Sequence, residues 1–188
     1  MLHTTFQLLK LAGACGQHRG SGRGYSKLAV SLGGVSKYGK HTPIPLTYVL
    51  ESNGLDDALW TLKATLPEEE AERDKLARLL ACDYAEGEDG LVLKSYEDEY
   101  PGDLRVRRCI ETARRFAVGM ATQEELAAAR NAARASARAA VRAARATSRD
   151  VAWATSRDVA WAVAWAAWAA ARKWQTERFV AYLEGRAL

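Results

Sequence analysis

Thr122-Gln-Glu-Glu-Leu-Ala-Ala-Ala-Arg130 opens the segment on which the fold turns, and Ala146-Thr-Ser-Arg-Asp-Val-Ala-Trp153, repeated without change as Ala154–Trp161, marks its middle. Thr122 and Glu125 stand at the spacing of a capping box, which satisfies two of the free N–H groups at a helix start. From Thr122 to Glu184 there is no glycine and no proline, and nearly half of residues 121–171 are alanine, the strongest helix former. One unbroken helix over this span would be about 93 Å long. A compact domain of 188 residues has a radius of gyration of only about 16 Å. The segment therefore either protrudes as an arm or breaks into a helical pair. A bend is expected near Thr147 or Thr155, because Thr and Ser side chains compete for backbone hydrogen bonds.

Each stretch before this segment also reads as helix. Thr5–Ala12 and Tyr25–Leu32 are short helices ended by Gly13 and by Gly33-Gly34. A helix starting at Pro43 to Pro45 runs to about Ser52, with Asn53-Gly54 as its C-cap. Leu55–Ala64 follows, its first turn carrying Asp56 and Asp57, where carboxylates suit the helix dipole. Pro67 breaks the chain before a long helix over Glu68–Glu86. Leu91–Tyr100 and an Asp103-capped helix to about Val118 complete the set. No strand alternation is evident, so the fold class is all-α: a helical body over residues 1–119, then an alanine-rich helical arm over 120–188.

Hydrophobic residues make up 48% and charged residues 27%, which places the chain among globular proteins rather than disordered ones. Four prolines exclude a proline-rich linker. Cys15, Cys82 and Cys109 are too few and too scattered for a disulfide scaffold and fit a reducing compartment. The longest apolar run, Val159–Ala171, is too short to span a bilayer. Phe6–Cys15 lacks a basic leader and is interrupted by Lys10, so it reads as a helix of a cytoplasmic protein. The net charge of +4 divides into a basic region 1–45, an acidic middle 46–120 and a basic end. That division disfavours a general nucleic-acid binder and allows local basic patches.

Arg130, Arg134, Arg138, Arg142, Arg145 and Arg149 recur at spacings of three or four, within an arc of about 120° on a helix. Trp153, Trp161, Trp165 and Trp168 continue the pattern. A solvated arginine face and tryptophan core packing account for much of this. The sharper reading is a partner surface, since Trp and Arg dominate interface hot spots. The expected contact residues are the six arginines with Trp153 and Trp161 as anchors.

Catalytic and cofactor chemistry finds little footing, and no enzyme activity, metal or cofactor is expected. Cys15-Gly-Gln-His18 has no second ligand pair at metal spacing. Gly20-Ser-Gly22-Arg-Gly24 lacks the Lys-Ser/Thr of a P-loop and follows no strand. Asp56 and Asp57 are neighbours on a helix and point about 100° apart, so convergence on one reacting atom is not expected.

The run Ala81-Cys-Asp-Tyr-Ala-Glu86, Tyr100-Pro-Gly-Asp-Leu-Arg-Val-Arg-Arg108, Ile110-Glu-Thr-Ala-Arg-Arg-Phe-Ala117 and Thr122-Gln-Glu-Glu-Leu-Ala-Ala-Ala-Arg130 resembles the bacterial immunity proteins with an Imm-5-like domain and an alanine-rich Trp/Arg tail. The resemblance covers about half the chain, residues 76 to 175, and departs at Gly87-Glu-Asp-Gly90, where the family continues its helix. Gly54-Leu-Asp-Asp-Ala-Leu-Trp60 is similar to a stretch of phage and prophage proteins. The resemblance implies a non-catalytic helical protein that neutralises a partner effector, either a toxin or, in phage counter-defence of the anti-CRISPR kind, a defence complex. The alternative is a nucleic-acid binder using the arginine stripe and the basic N-terminal region. No membrane partner is expected, and the tryptophan-rich end also suits a homodimer seam.

Overall fold

The computed structural model describes residues 1–17, 22–135 and 171–187. Their fold is all-α with one minimal sheet. The chain runs β1 (His3–Thr4), α1 (Phe6–Leu11), α2 (Gly24–Ser31), α3 (Val35–Tyr38), β2 (Ile44–Pro45), α4 (Leu46–Asn53), α5 (Leu55–Thr61), α6 (Glu70–Glu86), α7 (Leu91–Glu99) and α8 (Arg105–Ala117). Residues 123–135 and 171–183 are also helical. The bend expected near Thr147 or Thr155 lies outside the described residues.

Two compact units are present. Unit 1 comprises Met1–Ala77 with Arg178–Leu188, and unit 2 comprises Arg78–Glu177. The division falls within α6 and within the last helix, whereas the sequence suggested a body ending near residue 119.

In unit 1 the strands β1 and β2 pair antiparallel, with His3 opposite Pro45 and Thr4 opposite Ile44. This corrects the expectation of a chain without strands. Each strand is two residues long and they lie some forty positions apart, so no local alternation announces them. A bridge from Thr4 to Thr65 extends the pairing, and the buried Thr4 hydroxyl donates to Ala64 O at 2.6 Å. Glu69 clamps the edge: its Oε2 accepts the His3 backbone N–H at 2.7 Å, and its Oε1 lies 2.7 Å from His3 Nδ1.

The first helix starts because Thr5 accepts the Leu8 N–H through its side chain, as an N-cap should. Phe6 is fully buried and meets Tyr25 and Tyr38 edge-on, at centroid distances of 5.3 and 6.1 Å. Gly54, at φ +96°, closes α4 and opens α5 in one residue. Leu2, Leu9, Leu28, Ile44, Leu46, Val49 and Leu55 fill the core, joined from the C-terminal end by Phe179, Tyr182 and Leu183.

In unit 2, one core cluster among the described residues is Cys82, Leu93 and Ile110, with Val106 and Ala113 packed against them. The Cys82 thiol donates to Ile110 O at 3.6 Å, tying α6 to α8. Asp103 was expected to cap α8. The cap position itself is Leu104, while Asp103 Oδ1 accepts the Arg105 N–H at 3.2 Å.

Candidate partner-binding face

The expected capping box at Thr122 is formed in full. Thr122 N–H donates to Glu125 Oε2 at 2.7 Å, and Glu125 N–H donates back to Thr122 Oγ1 at 3.2 Å. The helix that follows is anchored by Leu126, which is almost wholly buried. Arg130 and Arg134 stand four and eight residues beyond that anchor and both are exposed. On a helix they fall on one flank of the buried stripe rather than opposite it. Arg138, Arg142, Arg145, Arg149, Trp153 and Trp161 lie outside the described residues.

Arg130 is placed beside α8. Burial pushes the Cys109 thiol pKa up, and the positive charge of Arg130 opposes that rise. Arg115 reaches from α8 to the same helix start, with its guanidinium 3.8 Å from Glu125. Arg108, on α8, is exposed like Arg115. The two are seven residues apart, and seven residues bring the helix back to nearly the same face.

The remaining arginines of α8 are committed to holding unit 2 together. Arg107 grips Glu97 of α7 through two hydrogen bonds, at 2.7 and 2.6 Å, and this contact holds the Glu97 carboxyl below its ordinary range. This contact joins residues ten positions apart across two helices. Arg105 binds Asp103, whose Oδ2 also accepts the Tyr96 hydroxyl at 3.0 Å. Arg114 bonds to Asp83 and Glu86 of α6 at 2.7 and 2.6 Å, linking α8 to α6. The Tyr84 hydroxyl donates to Gln175 O at 2.7 Å, and its ring tilts against Trp174.

Among the described residues, no three His, Cys, Asp or Glu side chains are grouped as metal ligands. Cys15 is exposed and Cys82 buried. None of the described helices is long and apolar enough to cross a membrane. In unit 1, Asp56 and Asp57 do border a common space, a cavity of about 210 Å³ reached from α1, α2, α4 and α5. Bordering one cavity does not bring the two carboxylates to a common atom, and their adjacency on α5 gave no sign of the cavity itself. Gly20 and Ser21 of the glycine-rich loop lie outside the described residues. No protein-family model, curated protein or solved structure matches this chain.

Proposed function

We propose that this chain is a non-catalytic cytoplasmic binding protein that engages an acidic surface of a partner effector protein and neutralises it. The observation that carries the reading is the presentation of Arg130 and Arg134. Both are exposed on a helix whose start is fixed by the Thr122–Glu125 box and whose inner side is fixed by Leu126. A guanidinium held on a rigid helix loses less freedom on binding than one on a loop, and it suits bidentate contact with carboxylates. The sequence continues the stripe through Arg149 toward Trp153 and Trp161, adding the residue types that anchor interfaces. The resemblance to immunity proteins points the same way, with a toxin or a phage-targeting defence complex as the effector.

The test is to capture partners of the full chain from nuclease-treated host lysate, with wild type and with Arg130→Glu/Arg134→Glu side by side. A stoichiometric protein retained by wild type and lost by the variant, at equal helix content, supports the reading. The purified partner is then expected to lose its activity at equimolar addition of the wild-type chain. Identical capture by both proteins would remove this face from the site. Partners that vanish with nuclease, together with steep weakening in added salt, would favour the nucleic-acid alternative.

A further inference from the structure

Unit 1 holds a second feature with the makings of a site, independent of the arginine face. The cavity beside Asp57 has a volume of about 210 Å³. Its floor is apolar, built by the buried side chains of Leu9, Leu28 and Val49. Tyr25 and Trp60 supply two partly buried aromatic rings. Among the described residues, the lining contains carboxylates but no lysine or arginine.

Asp57 is oriented in advance. The Asn53 amide donates one hydrogen to Gly24 O at 2.8 Å and the other to Asp57 Oδ2 at 2.7 Å. Asn53 Oδ1 in turn accepts the Ser52 hydroxyl at 2.9 Å. Every polar atom of the Asn53 side chain is thus engaged, and its position sets that of the carboxylate. Asp57 Oδ1 accepts no hydrogen bond from the described residues, and the Tyr25 hydroxyl donates to none of them. Lys63 Nζ sits 4.0 Å from the centre of the Trp60 ring, so that ring already carries one cation contact.

We propose that this cavity binds a small organic cation, an ammonium or guanidinium head on a short aryl or alkyl body, with the head at Asp57 and the body against Leu9, Leu28, Val49 and Tyr25. An apolar cavity of about 150 Å³ accepts benzene, so this one takes a ring with a two-carbon arm. A charged hydrogen bond to the fixed carboxylate selects cation over anion, and the aromatic rings reinforce that choice. The same chemistry is offered by a free amine and by a lysine side chain of a peptide.

The test follows proton–nitrogen NMR spectra of the full chain during titration with phenethylamine, with 3-phenylpropionate as an anion of similar size. Phenethylamine is expected to give saturable shifts at Leu9, Tyr25, Val49 and the Trp60 indole, with affinity at least about tenfold above that of the anion. Asp57→Asn keeps an acceptor for Asn53 and is expected to erase most of that preference without loss of spectral dispersion. Val49→Phe fills the cavity and is expected to abolish the shifts. Should Val49→Phe fail to fold, Asp57→Asn alone decides. A lysine-containing tripeptide producing the same shifts more tightly identifies a peptide source, and a response to the free amine alone identifies a metabolite. Absence of shifts with any amine, equal binding of the anion, or an unchanged preference in Asp57→Asn would overturn the proposal.

Discussion

Arg114 Nη2 lies 2.7 Å from Asp83 Oδ1, and the Asp83 side chain is only 6% exposed. Glu86 takes a second contact from the same guanidinium, at 2.6 Å. Removing the guanidinium leaves a buried carboxylate without the cation that offsets its lost hydration. Arg114→Met should therefore cost about 2–4 kcal/mol, somewhat below the range for fully buried pairs because Arg114 itself is partly exposed. Urea denaturation measures this directly. The double variant Asp83→Asn/Arg114→Met should recover part of the loss, and a single variant as stable as wild type would show that the pair does not hold α6 to α8.

A second prediction concerns Gly24, where the glycine-rich loop enters α2. Its φ is +46°, and a Cβ built there would stand 2.5 Å from Cys15 Sγ and 2.6 Å from Cys15 O. The neighbouring Tyr25 N–H donates to that same Cys15 carbonyl at 2.9 Å, so the backbone cannot simply retreat. Gly24→Ala should lower stability by more than about 1 kcal/mol, since both the conformation and the contact oppose a side chain. The expected readout is a lower urea midpoint at unchanged slope. An unaltered midpoint would mean that the loop yields.

These two sites mark what sequence alone reveals and what it hides. Caps and breaks are local, so Thr122 with Glu125, Asn53-Gly54 and the acidic first turn of α5 are legible in the order of residues. The β1–β2 pair and the Arg107–Glu97 contact join positions far apart with no periodic signal. The cavity is hidden for a similar reason, because its wall is assembled from four helices. Helical wheels place Asp56 and Asp57 about 100° apart. They do not show that α1, α2 and α4 bring their own residues to the space both carboxylates border. For the arginine stripe the pattern is visible in sequence, while its exposure at Arg130 and Arg134 needs the buried Leu126 to define an inside.

Removing the cap isolates that stripe's support. Thr122→Ala deletes the acceptor for the Glu125 N–H and should destabilise the helix start by about 1 kcal/mol. Hydrogen exchange over residues 123–130 should accelerate, with little change in α4 or α5. If Arg130 works from a rigid helix, partner affinity should fall in the same variant although no contact residue is altered. Unchanged exchange at this helix would show that Leu126 alone fixes it.

Alkaline pH supplies the last prediction. Burial pushes the Cys82 thiol from an ordinary value of 9.0 up to about 11, and the Tyr84 phenol from 10.0 up to about 12. Both groups are neutral when protonated, and the folded state favours the neutral form. Above pH 9 the unfolded chain begins to release the Cys82 proton while the folded chain still holds it. The unfolded state then binds fewer protons, so stability falls as pH rises. The contribution is complete below about pH 9 and is lost through pH 11 to 12 as the folded groups ionise in turn. Thermal melts between pH 8 and 11 should show a declining Tm. Cys82→Ala and Tyr84→Phe should each flatten that decline, although Tyr84→Phe also loses the hydrogen bond to Gln175 and should start from a lower Tm. The same burial predicts thiol kinetics: exposed Cys15 should react with a disulfide reagent well before Cys82, and a Cys82 as fast as Cys15 would mean that the α6–α8 core opens freely.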